Sequence, residues 1–193
     1  MSKQVILIRH ATTDLAGTLC GHLDPPLNDA GRRQTAAVVA SLKNMPVDRL
    51  YASDLIRSVQ TAEPLAHSRG ISIFEKQNLR EISFGAWEGM RWADLQAQIN
   101  VAPIGFESIP DMCPPEGETF DCFCRRVKSS LREIASEFPE ETTAVVTHSG
   151  VIRVAFTELA GFDPASDLLR EIGYGSVHQF EAGPEAWRFV RRL

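Results

Sequence analysis

The sequence has few of the features that mark membrane, secreted or nucleic-acid-binding proteins. Its first apolar run, residues 5–8, ends at Arg9 and His10 and is too short for a membrane span or a secretory signal. Lys and Arg together number 20 against 25 Asp and Glu, so the formal net charge is −5, which disfavours binding to nucleic acid through bulk charge. We therefore expect a cytoplasmic protein with no membrane or nucleic-acid partner.

Cysteine is also scarce. The 193 residues include four cysteines, which form no pair of C-x-x-C elements and have no histidine at the spacing of a zinc site. In a reducing compartment such residues are expected to be free thiols. The sequence thus predicts neither a disulfide framework nor a metal site. These cysteines are Cys20, Cys113, Cys122 and Cys124.

Three common hydrolase motifs are absent. The second residue before Ser149 is Thr147, so the G-x-S-x-G elbow of a serine hydrolase is missing. No cysteine is followed six positions later by the arginine that a cysteine-based phosphatase loop would need. A P-loop is missing as well. These classes of enzyme are excluded.

Short apolar runs alternate with amphipathic stretches along the chain. Continuous apolar runs are typical of strands buried on both faces, and apolar steps of three and four are typical of helices. The pattern predicts an α/β fold, a three-layer sandwich with a mostly parallel central sheet flanked by helices. The predicted strands are residues 5–8, 49–52, 71–74 and 144–147, with an antiparallel pair at 177–180 and 187–190. The predicted helices run from an N-cap at Asn28 to about residue 43, from the second strand to about residue 67, and over residues 88–99, 118–138 and 151–159.

The length of 193 residues fits one domain. The middle of the chain is less regular, because residues 101–117 hold four prolines and two glycines. We therefore expect residues 1–193 to form a single domain, with a cap or lid insertion at about residues 88–118.

Two of the predicted buried strands end at a histidine. One ends in Arg9-His10 and the other in His148-Ser149-Gly150. Because open α/β sheets bind ligands at the carboxyl ends of their strands, the two imidazoles are expected to share one pocket. A lone histidine is more often structural, but two in matching positions, one of them beside an arginine, favour a functional site.

Two charged residues between these strands are further candidates. Arg57 falls on the first turn of the helix after the second strand, so Arg9 and Arg57 could form a fork around phosphate oxygens. Glu81 lies between apolar neighbours in a stretch rich in glycine and aromatic residues, which suits a proton donor at the rim of a pocket. Taken alone, each is better explained as a surface or solvated loop residue.

Four motifs occur in order along the chain: Ile6-Leu7-Ile8-Arg9-His10, Ser53-Asp54-Leu55-Ile56-Arg57 with Thr61-Ala62, Leu79-Arg80-Glu81 with Phe84-Gly85 and Glu88-Gly89, and Val145-Val146-Thr147-His148-Ser149-Gly150. Together they resemble the histidine phosphatase (phosphoglycerate mutase-like) superfamily over nearly the whole sequence. The short length is similar to the small phosphatase branch that includes α-ribazole phosphatase. The resemblance implies a metal-independent, cofactor-free phosphomonoester hydrolase that forms a phosphohistidine. Its substrate would be a small phosphorylated metabolite, with α-ribazole 5′-phosphate, sugar phosphates and phosphoglycerates all open.

The resemblance also implies roles for the matching residues. His10 would be the nucleophile, and Glu81 would give a proton to the leaving oxygen and later take one from water. The groups expected to surround the phosphoryl group are Arg9, Arg57 and His148, with Thr13, Gly21 and Ser149 as further candidates for phosphate contacts.

The sequence departs from the family pattern after the first histidine. Ala11-Thr12 stand where most members have Gly-Glu, and no asparagine precedes Asn28, although most members use one nearby to hold the phosphate. Thr12 or Thr13 is expected to supply a hydroxyl or backbone contact in its place.

Two alternatives belong to other functional classes. A phosphoglycerate mutase-type transferase would need a lid that excludes water and a second anion site, and residues 101–117 are short and not basic, which weighs against it. A non-catalytic module that binds a phosphate ligand is the other alternative, which the retained catalytic residue types disfavour. Exposed sheet edges would allow a homodimer.

Overall fold

The computed structural model describes residues 3–99, 113–138 and 140–193. Within these ranges six strands form one sheet: β1 (Lys3–Arg9), β2 (Arg49–Ala52), β3 (Ile73–Glu75), β4 (Thr143–Thr147), β5 (Val177–Ala182) and β6 (Trp187–Arg192). Their order is β3-β2-β4-β1-β5-β6. Strands β3, β2, β4 and β1 are parallel, whereas β5 and β6 extend the sheet as an antiparallel pair.

The helices follow the apolar pattern of the sequence. Asn28 caps the first helix, since its side chain accepts the Gly31 N–H at 2.9 Å. Thr119 caps the longest helix in the same way by accepting the Cys122 N–H at 3.3 Å. The helices are α1 (Asp29–Ser41), α2 (Ile56–Arg69), α3 (Trp92–Ile99), α4 (Phe120–Glu137), α5 (Ser149–Val154) and α6 (Asp167–Arg170).

Side chains alternate between the two faces of the sheet, and helices cover both. On β1, Ile6 and Ile8 pack in a core with residues of α1 and α2, whereas Val5 and Leu7 pack in a second core with α4 and α5. All four of these strand residues are fully buried, and that explains the continuous apolar run. The three-layer α/β sandwich predicted from the sequence is confirmed.

The middle of the chain differs from the prediction. The helix expected from residue 88 begins at Trp92, because Gly89 has a φ of +83°, which lies outside the helical region, and Gly85–Trp87 form a 3₁₀ turn. Most of the expected lid segment 101–117 lies outside the described residues, so the lid and the single-domain organisation stay predictions.

Two further differences concern the end of the chain. The helix expected over 151–159 already begins at Ser149, and residues Ala155–Leu159 widen into a π turn. The short helix α6 was not expected.

In the described part of the chain, no helix combines the length and apolar character needed to cross a bilayer. The four cysteines are all free thiols.

Candidate active site

The site lies where β1, β4 and β2 end at one edge of the sheet. Arg9 and Thr147 are neighbours in the register of β1 and β4, so His10 and His148 each follow directly after the paired ends. Their ring centroids are 5.1 Å apart, with the ring planes tilted by 60°. Both residues are buried. The two histidines predicted to meet therefore do so.

His10 is held in one tautomer and kept neutral. Its Nδ1 lies 2.8 Å from the Ala11 carbonyl oxygen, which can only accept, so Nδ1 carries the proton and Nε2 keeps its lone pair. Burial, followed by the positive charges of Arg57 and Arg9, holds the pKa of His10 well below its usual value of 6.5. A neutral ring with a free Nε2 is what a nucleophile requires.

His148 lies behind His10 and is fully buried. An Nη2 of Arg57 is 3.3 Å from its Nδ1, and a guanidinium can only donate, so Nδ1 is the acceptor. Its Nε2 then carries the proton and donates to the Ser53 hydroxyl at 3.0 Å. Burial and then the charge of Arg57 hold the pKa of His148 well below 6.5. Unlike His10, it does not line the cavity described below.

Arg57 stands on the first turn of α2, as predicted, but its side chain faces protein rather than an open pocket. It is fully buried. Its Nη1 donates to the carbonyl of Leu23 at 2.5 Å and its Nη2 to those of Gly21 at 2.8 Å and Cys20 at 3.2 Å. These acceptors come from the loop of residues 20–23. The fork of Arg9 and Arg57 around phosphate oxygens stays a prediction. Direct contact between Arg57 and phosphate stays a prediction.

Arg9 does face the cavity. Its Nη1 donates to the Ile172 carbonyl at 2.8 Å, and the guanidinium carbon lies 3.8 Å from the ring centroid of Tyr174. Burial lowers the pKa of Arg9, while the Tyr174 phenol and the Glu81 carboxylate oppose this. Among the described residues, neither Arg9 nor Arg57 has an ion-pair partner. Buried positive charge without a carboxylate favours the binding of an anion.

Glu81 is fixed at the N-terminus of α5. Its Oε2 accepts the Gly150 N–H at 2.9 Å and the Ser149 hydroxyl at 3.2 Å, and its Oε1 accepts the Ile82 N–H at 3.1 Å. Its backbone is held by Arg126, whose guanidinium donates to the carbonyls of Arg80 at 2.8 Å and Glu81 at 2.9 Å. The Glu81 carboxylate therefore lines the cavity in a defined orientation.

Glu88 belongs to the third sequence motif, but no role at the site was predicted for it. Its carboxylate accepts backbone N–H groups from Gly21, His22, Leu23 and Phe84 at 2.8–3.2 Å. It thus fixes the loop whose carbonyls bind Arg57. The available signal was an acidic residue just before Gly89 in the glycine-rich motif, but its partners come from a distant loop.

The remaining phosphate-contact candidates divide into two groups. Thr13 and Ser149 line the cavity, and the Thr13 hydroxyl accepts the Leu15 N–H at 3.3 Å. Gly21 is not part of the lining, because its carbonyl turns to Arg57. The Thr12 hydroxyl donates to the Gln34 amide oxygen at 2.9 Å, so the idea that it replaces the missing asparagine is not supported.

The cavity has a volume of about 310 Å³. Its lining combines polar residues, among them Arg9, His10 and Glu81, with the apolar side chains of Leu19, Ile82, Phe84 and Trp92. The lining residues that were not predicted include Arg153, on the second turn of α5, and Tyr174. Within the described residues, no group of three or more His, Cys, Asp or Glu side chains is arranged to hold a metal ion.

Comparison with known proteins places this site in a family. A model of the histidine phosphatase superfamily (branch 1) matches residues 5–192. Phosphoglycerate mutase-like protein 4 of Arabidopsis thaliana is 31% identical over 186 residues, which cover 92% of this chain and 78% of the relative. The metal-independent phosphoserine phosphatase of the same plant is 30% identical over 173 residues, covering 86% and 72%.

Two phosphatases extend this comparison. The adenosylcobalamin/alpha-ribazole phosphatase of Salmonella typhimurium is 28% identical over 169 residues, covering 83% of this chain and 81% of the relative. The solved structure of a mycobacterial glucosyl-3-phosphoglycerate phosphatase aligns with a TM-score of 0.85 at 24% identity, covering 98% and 97% of the two chains, and shows the same fold. The chain belongs to branch 1 of the histidine phosphatase superfamily.

Proposed function

We propose that this phosphatase hydrolyses a small phosphomonoester through a phosphohistidine formed at Nε2 of His10. One observation carries the proposal. The His10 ring is neutral, its Nδ1–H is bound to the Ala11 carbonyl, and it lies in a cavity that it shares with Arg9 and Glu81. A nucleophile, a cation for the phosphoryl oxygens and a proton carrier are thus held together.

The reaction would proceed in two displacements. In the first, His10 Nε2 attacks phosphorus, the bond from phosphorus to the ester oxygen breaks, and Glu81 gives its proton to that oxygen. In the second, water attacks phosphorus, Glu81 takes back a proton, and the bond from phosphorus to Nε2 breaks to release phosphate. Arg9 would stabilise charge on the phosphoryl oxygens. Arg57, which contacts His148, would add positive charge next to His10 and so help to stabilise the negative phosphoryl oxygens.

The size and charge of the cavity favour a small alcohol group that carries an anion. A volume of about 310 Å³ is at the lower end for ligand pockets. Glu81 defines the leaving-group side, and Arg153 lies one helical turn beyond the Ser149-Gly150 contacts to Glu81. Helical side chains point back toward the N-terminus, so Arg153 would reach the leaving group. We therefore propose a carboxylate-bearing phosphomonoester; one relative is a phosphoserine phosphatase.

Acid-labile phosphate on the protein tests the chemical proposal. The wild-type protein, quenched in alkali during turnover of ³²P-labelled phosphoserine, should carry label that is lost in acid and retained in base. His10→Ala should carry no label and have no turnover. Full activity of His10→Ala, or turnover without labelled protein under single-turnover conditions, would overturn the nucleophile assignment.

Substitution of Arg153 tests the substrate class. Arg153→Met keeps much of the length of the side chain and removes the charge. It should raise KM about 10- to 100-fold for phosphoserine and 3-phosphoglycerate, since hydrogen bonds to charged groups contribute about 1.5–3 kcal/mol. KM for 4-nitrophenyl phosphate, which carries no carboxylate, should change less than about twofold. Equal changes for both kinds of substrate would exclude Arg153 as the reader of a carboxylate.

A mutase-type transferase is the second candidate function, and the same Arg153 favours it, because a mutase needs a second anion site. Turnover of phosphoglycerates with and without a bisphosphate primer, in the presence of a chelator, separates the two activities. Activity without primer indicates hydrolysis, and dependence on primer indicates transfer. Phosphate binding without either activity would indicate a non-catalytic module.

Cellular location and assembly complete the proposal. Four free thiols are compatible with a cytoplasmic protein. Fractionation of cells that express the chain tests the location. Light scattering of the purified protein tests the homodimer expected from the sheet edges.

A further inference from the structure

Arg9 is held by few contacts for a residue proposed to bind a transferred phosphoryl group. Its Nη1 donates to the Ile172 carbonyl, the Tyr174 side chain also interacts with the guanidinium as a hydrogen-bond partner, and the buried Nε has no hydrogen-bond partner among the described residues. A long side chain with so few fixed contacts needs another restraint, because an arginine loses up to about 2 kcal/mol of rotamer entropy when it is ordered. The restraint comes from the aromatic ring of Tyr174.

Tyr174 is carried by a segment that is bonded to the Arg9–His10 backbone. The Gly175 N–H donates to the carbonyls of Arg9 at 3.2 Å and His10 at 3.3 Å, and the Arg9 N–H donates to the Ser176 carbonyl at 3.0 Å. Gly175 has a φ of +71°, which a residue with a side chain rarely adopts. This sharp turn directs the segment back along the catalytic edge of the sheet.

The Tyr174 ring contacts Arg9, the last residue of β1, and His10, the proposed nucleophile that follows it. Its centroid lies 3.8 Å from the guanidinium carbon of Arg9 and 5.5 Å from the ring centroid of His10. A guanidinium stacked on an aromatic face keeps its N–H donors free, because they point outward in its own plane. Stacking thus fixes the plane of Arg9 without using the donors that a phosphoryl group needs.

We propose that Tyr174 is a positioning residue that fixes the Arg9 guanidinium in the orientation that binds the phosphoryl group. Because the Tyr174 ring also contacts the His10 ring, it restrains that ring as well. The inference rests on the proposed phosphatase function. The aromatic ring is the active part, so phenylalanine should replace tyrosine and an aliphatic side chain should not.

A double-mutant cycle tests the inference. Tyr174→Leu should lower kcat/KM for 4-nitrophenyl phosphate about 10- to 30-fold, the range expected for a desolvated cation–π contact. Tyr174→Phe should stay within about threefold of wild type. When Arg9 is already replaced by lysine, adding Tyr174→Leu should lower kcat/KM by less than about twofold, since a lysine does not stack in the same way. Additive losses in the two backgrounds, or wild-type kinetics of Tyr174→Leu, would overturn the proposal.

A second arginine–aromatic stack provides the matched control. Arg49 lies 3.6 Å from the ring centroid of Phe138, at the opposite end of the sheet. Phe138→Leu removes the same kind of contact and should leave kcat/KM unchanged. Thermal unfolding of both variants separates loss of stability from loss of activity. If Tyr174→Leu does not fold, Tyr174→Met, which fills similar space without a ring, takes its place in the cycle.

Calorimetric binding of orthovanadate keeps this inference separate from the proposed function. The wild-type protein should bind orthovanadate about tenfold or more tightly than Tyr174→Leu, whether or not it turns over substrate. If the wild-type protein shows no hydrolysis, the proposed function fails while this comparison still tests Tyr174. If hydrolysis is present but the two proteins bind orthovanadate equally, only the positioning role is lost.

Discussion

The imidazoles of His10 and His148 lie 5.1 Å apart, and both are kept neutral first by burial and then by the nearby charges of Arg57 and Arg9. Arg57 donates to Nδ1 of His148, and its charge also lowers the pKa of His10. The Ala11 carbonyl orients one ring and the Ser53 hydroxyl the other. The His10 ring, which lines the cavity, can therefore act as a nucleophile, while the His148 ring lies outside the lining and contacts Arg57.

The acid limb of the pH–rate profile should lie below pH 6.5. Burial and nearby arginines hold the pKa of His10 well below 6.5, so the ring stays unprotonated and nucleophilic as pH falls through that value. A plot of kcat/KM for 4-nitrophenyl phosphate from pH 4 to pH 9 measures this limb. A limb centred at or above pH 6.5 would show that the imidazole titrates as an ordinary exposed histidine.

Glu81→Gln should separate substrates by their leaving groups. The variant keeps the shape of the side chain but has no proton to donate, so alkyl phosphates should slow by about 10²–10⁴-fold. Aryl phosphates, whose leaving groups need no proton, should slow far less. Glu133→Gln, which breaks an exposed ion pair with Lys76, is the control and should not change either rate. Equal losses on both substrate types would exclude Glu81 as the acid.

Gly150→Ala should reduce activity more than stability. A Cβ at Gly150 would lie 2.1 Å from Oε1 of Glu81, so the carboxylate must move away from its present place. Because that atom is the end of a flexible side chain, the fold can adapt while the proton carrier is displaced. We expect a loss of about tenfold or more in kcat on alkyl phosphates, about the lower bound of general acid catalysis. Thermal unfolding should show a shift of a few degrees at most.

Gly173→Ala is the matched control for that substitution. Nothing lies within 4 Å of a Cβ built at Gly173, so this variant should keep both activity and stability. If Gly150→Ala retained full activity on alkyl phosphates, the contact between Glu81 and the start of α5 would not matter for the reaction.

His178 should make the protein less stable in mild acid. Burial, followed by the charge of Arg192, lowers the pKa of His178 from 6.5 to about 4. Because the folded-state pKa is the lower one, the unfolded chain binds the proton first, and stability is lost as pH falls from about 6.5 toward 4. The loss is about 1.4 kcal/mol per pH unit for one proton.

Urea unfolding of wild type and His178→Gln at pH 7, 6 and 5 measures this effect. The free energy of unfolding of the variant should fall less steeply with decreasing pH than that of wild type. The difference in slope should correspond to about one proton fewer taken up on unfolding. A constant difference between the two proteins at all three pH values would contradict the prediction. Part of the remaining slope should come from the two active-site histidines and from His22, whose pKa values are lowered in the same direction.

Local patterns in the chain were enough to predict the layers of the fold and the elements that carry the site. Continuous apolar runs placed β1 and β4, and the histidine directly after each run placed His10 and His148 at one edge. This works because parallel strands that share a sheet end on the same side. The start of α3 was misplaced, because Gly89 interrupts an otherwise helical pattern.

The hydrogen bonds within the site depended on chain segments that meet only after folding. Arg57 carried a motif that predicts an anion fork, yet its Nη1 and Nη2 donate to carbonyls of the loop at residues 20–23. Tyr174 carried no motif at all, and its place against Arg9 follows from a turn near the other end of the chain. The sequence alone determined which elements bear the reactive groups, since periodicity is local. Only the tertiary structure decided which acceptors and rings those groups contact, because such partners are set by distance in space and not by spacing along the chain.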